Sequence, residues 1–403
     1  MGKKKHIFIL GATRFDSHER STTFTLSKLL AKNNFVYYID YPITWKDYIK
    51  YKNTDLINSR KAYFSNNSDG IKETDLINFK LIIIPPLLSI NFLPEGKLYR
   101  MLLKLNEKRI VNRIIQVIKK FNIKDYVYIN SFNFHYPGIA DSLKPALTVY
   151  HCVDPMIMPY DMKHGIISEN SLVKNSDIVI CTSKQLQTEK KTINPNTFFV
   201  PNAADINHSS KALDDTMILN KQISLLKNPV IGYIGTIERR IDFKLLKDVI
   251  AENQDKEFVF VGPVAQEYVP EWFIKHRNVH LIGRVPYEDL PSILKGFDIA
   301  IIPFKNDDVS STIFPLKLFE YLGAGKPVVS TNFNPDLKEF TLDTVTFCDN
   351  ASSFSEALNK ILKSNNEINI QRRLTVAREN TWEKRADQFE SILDSNILIS
   401  KIS

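Results

Sequence analysis

The chain has 403 residues, 43% of them hydrophobic and 24% charged, with a formal net charge of +8. That length exceeds what one hydrophobic core organises and predicts two or three globular domains, excluding a fibrous or disordered chain. Three widely spaced cysteines, Cys152, Cys181 and Cys348, exclude a disulfide scaffold and a zinc finger and fit a reducing cytoplasm.

The charge is uneven. Residues 1–203 hold 29 Lys/Arg against 17 Asp/Glu, a balance of +12, and the rest of the chain balances at −4. The first half therefore expects an anionic partner. Its basic residues lack interleaved stacking aromatics, which argues against nucleic acid. The apolar run Ile7 to Leu10 is too short for a signal-peptide core, and no window approaches a membrane span, so a cytoplasmic location is expected.

In chain order, Lys5 to Leu10 predicts a buried strand running into Gly11-Ala12-Thr13-Arg14. A helix over Arg20 to Leu30 and a strand over Phe35 to Asp40 follow. Strand, glycine turn, helix, strand opens a doubly wound α/β domain, although a single Gly11 is not a dinucleotide fingerprint. Gly11 permits either a tight turn or a ligand close to the backbone, with Arg14 and Arg20 in reach. Residues 41–78 are weakly patterned and predict an excursion from the sheet. Apolar β-branched runs at Leu81–Pro85, Tyr126–Ile129, Leu147–Tyr150 and Ile178–Cys181 predict parallel strands buried on both faces.

Residues 96–121 predict a helix. Leu98, Met101, Leu102, Leu105, Val111, Ile114, Ile115 and Ile118 form its apolar stripe, and eight Lys/Arg face a single Glu107. Such a helix either covers the sheet or lies on an anionic membrane surface. His151 and Asp154 stand at the carboxyl end of a strand, where α/β sheets place ligands. Asp154, before Pro155, is extended and is a candidate general base or a turn cap.

Pro201-Asn202-Ala203-Ala204-Asp205 and the polar stretch to Asn228 predict a domain boundary. A second α/β pattern follows: strand Val230–Gly235, helix Phe243–Ala251, strands Phe258–Gly262 and Val279–Gly283, helix Pro286–Lys295 and strand Ile299–Pro303. Gly235-Thr236 with Arg239 and Arg240 is a strand-to-loop turn aimed at an anion or a solvated basic pair. The stretch Ser310 to Thr331 then passes from a polar loop through Pro315, at a predicted first helical position, into a helix and a buried strand. Free N–H groups at Leu316 and Lys317, the Lys317 charge and Glu320 one turn on suit a nucleoside diphosphate with a ribose. An exposed ion pair is the plain alternative. No Asp-x-Asp signals a metal. Asn380 to Leu393 predicts a last helix, and the final ten residues read as loose.

The second half resembles family 4 glycosyltransferases of the GT-B class, through Gly232-Tyr233-Ile234-Gly235, Phe260-Val261-Gly262-Pro263, the run Asn278 to Pro291 and Pro315 to Val329. The Pro201-Asn202-x-x-Asp205 hinge and the Trp382 helix fit the same family. The resemblance implies two doubly wound Rossmann-like domains facing each other across a cleft. It divides the chain at 1–203 for the acceptor, 204–378 for the nucleotide sugar, and 379–403 for a helix returning to the first domain. It implies sugar transfer from a nucleoside-diphosphate sugar, UDP favoured over GDP, to a lipid-linked or saccharide acceptor in polysaccharide synthesis. No metal or cofactor is implied.

By position, Glu320 matches the second acid of the family's E-x7-E motif and would hold the ribose hydroxyls; the first acid falls at Thr312. Gly235, Thr236, Arg239, Arg240, Pro315, Leu316 and Lys317 match the diphosphate site, and Val285 the backbone that pairs the base. Asp154 lies where inverting relatives have a base and His151 where retaining relatives have a sugar-contacting histidine, so the stereochemistry stays open. A peripheral attachment to the inner face of the membrane through residues 96–121 is a further expectation. The alternatives are a non-catalytic nucleotide-sugar-binding GT-B protein, given Thr312, and a nucleotide-sugar 2-epimerase.

Overall fold

The computed structural model describes residues 4–17, 21–65 and 67–400. The chain forms two compact units. The first is Met1–Pro201 with Arg385–Ser403, and the second is Asn202–Lys384.

The first unit is built on an eight-stranded sheet. Its strands are β1 His6–Gly11, β2 Phe35–Ile39, β3 Ile71–Glu73, β4 Phe79–Ile82, β5 Tyr126–Ser131, β6 Leu147–Cys152, β7 Ile178–Cys181 and β8 Thr197–Phe199. They lie in the order β3-β4-β2-β1-β5-β6-β7-β8. All neighbours are parallel except β3, which pairs antiparallel with β4 at one edge. Alternate residues of β1 feed two cores, as the strand period requires. Phe8 and Leu10 pack with Ile110, Ile114 and Val117 on one face. Ile7 and Ile9 pack with Leu26, Leu30, Phe389 and Leu393 on the other. That second face explains the chain's end. The sequence suggested a loose tail, yet a helix runs Trp382–Ser400. Phe389 and Leu393 are fully buried, and Glu390 bonds Lys5 at 3.0 Å and Asn34 at 2.8 Å.

The excursion over 41–78 is ordered by charge as well as apolar contact. Arg60, 1% exposed, reaches Asp40 at 2.7 Å and Asp16 at 2.6 Å. Burial pushes the Asp40 carboxyl up, against the pull of the Arg60 guanidinium. The pair ties the exit of β2 to the loop after β1.

Helix Lys97–Lys120 corrects the predicted stripe. Its buried positions are Tyr99, Leu103, Asn106, Glu107, Ile110, Val111, Arg113, Ile114 and Val117. Leu98, Met101 and Leu105 are exposed instead. The polar residues displace them because each finds a buried partner. Asn106 accepts from the Leu88 N–H at 2.8 Å and donates to its carbonyl at 3.0 Å. Glu107 accepts from the Gly138 N–H at 2.6 Å.

The second unit carries six parallel strands: β9 Val230–Ile234, β10 Glu257–Val261, β11 Val279–Gly283, β12 Ile299–Ile302, β13 Val328–Thr331 and β14 Val345–Cys348. Their order is β11-β10-β9-β12-β13-β14, a doubly wound sheet whose direction of growth reverses between β9 and β12. The helix expected over Pro286–Lys295 divides into a 3-10 turn, Tyr287–Asp289, and a helix Leu290–Lys295. Pro291 lacks an N–H and suits only the first turn of that helix, so the α-helix starts beside it.

Candidate active site

Parallel sheets bind ligands beyond the carboxyl ends of their strands, where the strand order reverses. In the second unit that point is the exit of β9 beside the exit of β12. Here the backbone is drawn tight. The Gly235 N–H donates to the Val261 carbonyl at 2.8 Å and the Gly262 N–H to the Gly283 carbonyl at 2.8 Å. Gly235 has φ +139° and Gly262 φ +143°, and a Cβ on Gly262 would fall 2.2 Å from the Gly235 carbonyl oxygen. Only glycine accepts both that backbone and that approach. The loop beyond is fastened to the exit of β12: the Asp242 N–H donates to Pro303 and the Lys305 N–H to Arg240, each at 2.8 Å.

Facing this loop is helix Leu316–Gly323. Pro315 was expected at its first position. It stands one residue earlier, as the extended N-cap with φ −76° and ψ 124°, and no side chain caps the helix. The Pro315 carbonyl takes the Leu318 N–H at 3.3 Å. The N–H groups of Leu316 and Lys317 have no acceptor among the described residues. Tyr321 anchors the helix, its hydroxyl accepting from the Ile234 N–H at 2.7 Å.

The Lys317 side chain folds back over β9. Its Nζ lies 3.8 Å from the centroid of the Tyr233 ring and 5.2 Å from that of Phe304. A Cβ on Gly235 would be 2.3 Å from the same Nζ, so the missing side chain makes the ammonium's space. Lys317 has no ion-pair partner among the described residues. Burial, then the neighbouring Arg240 guanidinium, push its pKa well below the usual lysine value, and Glu320 and Glu238 oppose this. Arg240 pairs with Glu238 and stands 5.8 Å over Phe304. In the same loop Arg239 keeps a buried Nη2 without a hydrogen-bond partner. Two cations, one desolvated, beside two uncapped amides make a site that an anion completes.

Gly235, Arg240, Lys317, Leu316 and Pro315 are thus brought together. Thr236 offers its carbonyl to the Tyr233 hydroxyl at 3.1 Å. Glu320 is half-buried on the same helix. Val285 lies after β11, two strands from β9, and packs on the hydrophobic core. The Thr312 hydroxyl donates to the Val309 carbonyl at 2.7 Å and is buried. It closes a local turn.

The first unit reverses its strand order between β1 and β5. Gly11, expected to admit a ligand, admits a side chain: a Cβ there would sit 2.1 Å from the Tyr38 hydroxyl. Arg14 is exposed nearby, and Arg20 lies outside the described residues. His151 and Asp154 part company. Asp154 is exposed at the exit of β6. His151 is 2% exposed, stacked edge-on to Phe389, with Nδ1 2.9 Å from the Ser131 hydroxyl. Burial drops its pKa to about 3, so it is a neutral core histidine, not a group at the strand's open end.

A cluster that sequence reading missed stands where His151 was expected. His135 Nε2 lies 3.8 Å from Asp161, and its ring 6.4 Å from that of Tyr41. Just before it, Phe132 holds φ +56° and Asn133 keeps a buried Oδ1 without a partner. The signal was the segment Ser131 to Gly138 at the exit of the strand beside β1, legible only once the strand order is known. Among the described residues no three His, Cys, Asp or Glu side chains gather as metal ligands, and no helix is long and apolar enough to cross a membrane.

Residues 228–364, which contain the whole β9–β12 site, match the family described as Glycosyl transferases group 1. This part of the chain is similar to the group 1 glycosyl transferases.

A teichuronic acid biosynthesis glycosyltransferase, as TuaH of Bacillus subtilis is named, is 28% identical over 256 residues, or 58% of this chain. The match spans 63% of that relative's length. Solved structures share the fold. Sucrose-phosphate synthase from Thermosynechococcus elongatus superposes with a TM-score of 0.65 at 14% identity, over 97% of this chain and 99% of its own. Anabaena HepE, solved with UDP, gives 0.64 at 14% over 97% and 100%. The trehalose 6-phosphate synthase of Burkholderia multivorans gives 0.69 at 8% over 100% and 98%. The matched segment therefore lies within one of the two Rossmann-like units of a GT-B fold.

Proposed function

We propose that the protein is a glycosyltransferase that moves a sugar from a nucleoside-diphosphate sugar, UDP before GDP, to a hydroxyl of a lipid-linked or growing cell-surface polysaccharide. The observation that carries this reading is the half-buried Lys317, folded over the Tyr233 ring without an ion-pair partner among the described residues, at the uncapped start of helix Leu316–Gly323. In transfer the acceptor oxygen attacks the anomeric carbon, and the bond from that carbon to the diphosphate breaks. The nucleoside diphosphate leaves with the electron pair. Lys317, Arg240 and the amides of Leu316 and Lys317 would take up the charge that develops on it, preorganised and half-buried. Glu320 would hold the ribose. Asp154, exposed at the exit of β6, would take the acceptor proton if the reaction inverts.

The bacterial teichuronic acid relative supports a polysaccharide acceptor, and the UDP in HepE supports a uridine donor. The first unit supports a membrane-borne one. Leu98, Met101 and Leu105 are exposed, as are Phe92, Met158 and, on the helix Pro159–Asn175 that follows Met158, Met162 and Ile166. The two helices are joined by Arg100 to Ser168 at 2.9 Å, and the loop before the first meets Tyr160 through Asn91 at 3.0 Å. Lys97, Lys104 and Lys108 rim this apolar face without partners among the described residues. Apolar residues ringed by lysine suit an anionic lipid surface at the inner face of the membrane.

Release of UDP from UDP-sugars, with and without acceptor, tests the reading, and Lys317→Ala should abolish it. The buried Thr312 in place of an acid favours a second reading, a binder without turnover; tight UDP-sugar binding with no UDP release would establish it. Flotation with anionic vesicles tests the lipid surface. The wild type should float at low salt and lose this on changing Lys104, Lys108 and Arg109 to Glu.

A further inference from the structure

A cavity lies in the second unit at the amino-terminal ends of the strands, opposite the candidate site. Its volume is about 150 Å³, and Pro327 and Val328 at the start of β13, Thr344, Asn369, Arg372 and Arg373 help to line it. Ligand pockets for drug-sized molecules start at roughly 300 Å³, so this one admits a single small group and not a nucleotide sugar.

Its lining holds two guanidiniums, Arg372 and Arg373, against one carboxylate, Asp343. Arg373, 5% exposed on helix Glu367–Glu379, donates from Nε to the Gly325 carbonyl at 2.9 Å and from Nη2 to Asn365 Oδ1 at 2.6 Å. Both acceptors are neutral, no carboxylate pairs with it, and its Nη1 has no partner among the described residues. Burial alone lowers its pKa to about 10. Arg372 stands on the rim, more than half exposed and paired with Asp343. Nearby in sequence, the half-buried Lys326 donates to the Lys295 carbonyl at 2.9 Å. The Arg373 bond to Gly325 also closes the turn after helix Leu316–Gly323, but with Nε on Gly325 and Nη2 on Asn365 the guanidinium still has Nη1 and the second Nη2 hydrogen over. A buried charge without a counter-ion is costly and calls for one.

We propose that this cavity binds a phosphoryl group, held by the Arg373 fork, with Arg372 at the rim and Asn369 beside it. Guanidinium forks match the oxygens of phosphate in a way a point charge does not. The occupant is inorganic phosphate or the end of a phosphomonoester, and the two are told apart by how far the cavity encloses the group.

Thermal shift and ³¹P line broadening with inorganic phosphate test the site, with phenyl phosphate as a second arm. Both run on the Lys317→Ala protein, in which the diphosphate site has lost its ammonium, and the Asn369 and Arg372 variants below assign the remaining signal to this cavity. Phosphate should stabilise that protein by mass action. Asn369→Asp, which puts a carboxylate beside the group, and Arg372→Ala, at an exposed position, should each weaken binding about tenfold, the loss of one charge-assisted hydrogen bond. Binding of phenyl phosphate as tight as phosphate assigns a monoester end, and its exclusion assigns the free ion; either supports the site. Absence of any effect on the Lys317→Ala protein, or equal binding by Asn369→Asp, Arg372→Ala and their parent, would overturn it. The donor reading stands or falls separately, on nucleotide binding by the Lys317→Ala protein without phosphate.

Discussion

The ammonium of Lys317 sits 3.8 Å from the centroid of the Tyr233 ring, above a glycine whose Cβ would strike it. An ammonium over an aromatic face gains about 0.5–2 kcal/mol, and with no carboxylate paired to it among the described residues the arrangement is poised for an anion. Replacing Lys317 by Met should leave thermal stability equal or higher and weaken UDP binding at least tenfold, as seen by calorimetry against thermal melting. A melting temperature lowered by several degrees would make the lysine a structural residue.

The same lysine sets a pH dependence. Its folded pKa lies below the 10.5 of the free side chain, so between the two values the unfolded chain binds more protons than the native one. Stability from this group therefore rises with pH across that window. A bound diphosphate restores the charge. UDP binding at pH 9 should take up a fraction of a proton, measured as a buffer dependence of the binding enthalpy, and the uptake should vanish in Lys317→Met.

Glu107 predicts the opposite slope. Burial raises its carboxyl from 4.5 to about 7, so between those values the native state holds the extra proton and stability falls as pH rises. Glu107→Gln keeps an acceptor for the Gly138 N–H. It should gain on the wild type between pH 5 and pH 8, by up to about 1.4 kcal/mol for each tenfold difference in proton affinity between the folded and unfolded chain. Melting curves at the two pH values read this gain.

Gly262 and Gly235 should respond differently to alanine. At Gly262 the new methyl meets backbone, the Gly235 carbonyl oxygen at 2.2 Å, and at Gly235 it meets the movable end of Lys317. Both also force an unfavourable φ, worth of order 1–3 kcal/mol. Chemical denaturation should show Gly262→Ala the more destabilised, and calorimetry should show Gly235→Ala losing more UDP affinity than stability.

Arg60 neutralises two carboxylates from a position with almost no solvent. Arg60→Met leaves Asp40 buried and unpaired, and should cost roughly 3–5 kcal/mol in denaturant unfolding. Adding Asp40→Asn should recover part of that loss.

The sheets were legible because their strands are short runs of β-branched and aromatic residues, such as Ile299 to Ile302, with both faces buried. The start and end of helix Leu316–Gly323 were legible from Pro315 and the glycines that follow. What failed was what depends on a partner distant in sequence. Nothing near His151 announces that Phe389 will cover it. Nothing near Leu98 announces that Asn106 and Glu107 will take the buried side of the helix by finding the Leu88 and Gly138 backbone. Edge strand β3 and strand β14, with its exposed Thr346 and half-buried Phe347, carry too weak a pattern to stand out.

Isothermal titration of the wild-type protein with UDP, uridine monophosphate and uridine tests most directly whether helix Leu316–Gly323 grips a diphosphate. The account predicts affinity that climbs steeply from uridine to UDP, with the gain from the phosphates lost in Lys317→Ala. Equal affinity for uridine and UDP, or a Lys317→Ala protein that binds UDP as the wild type does, would contradict it.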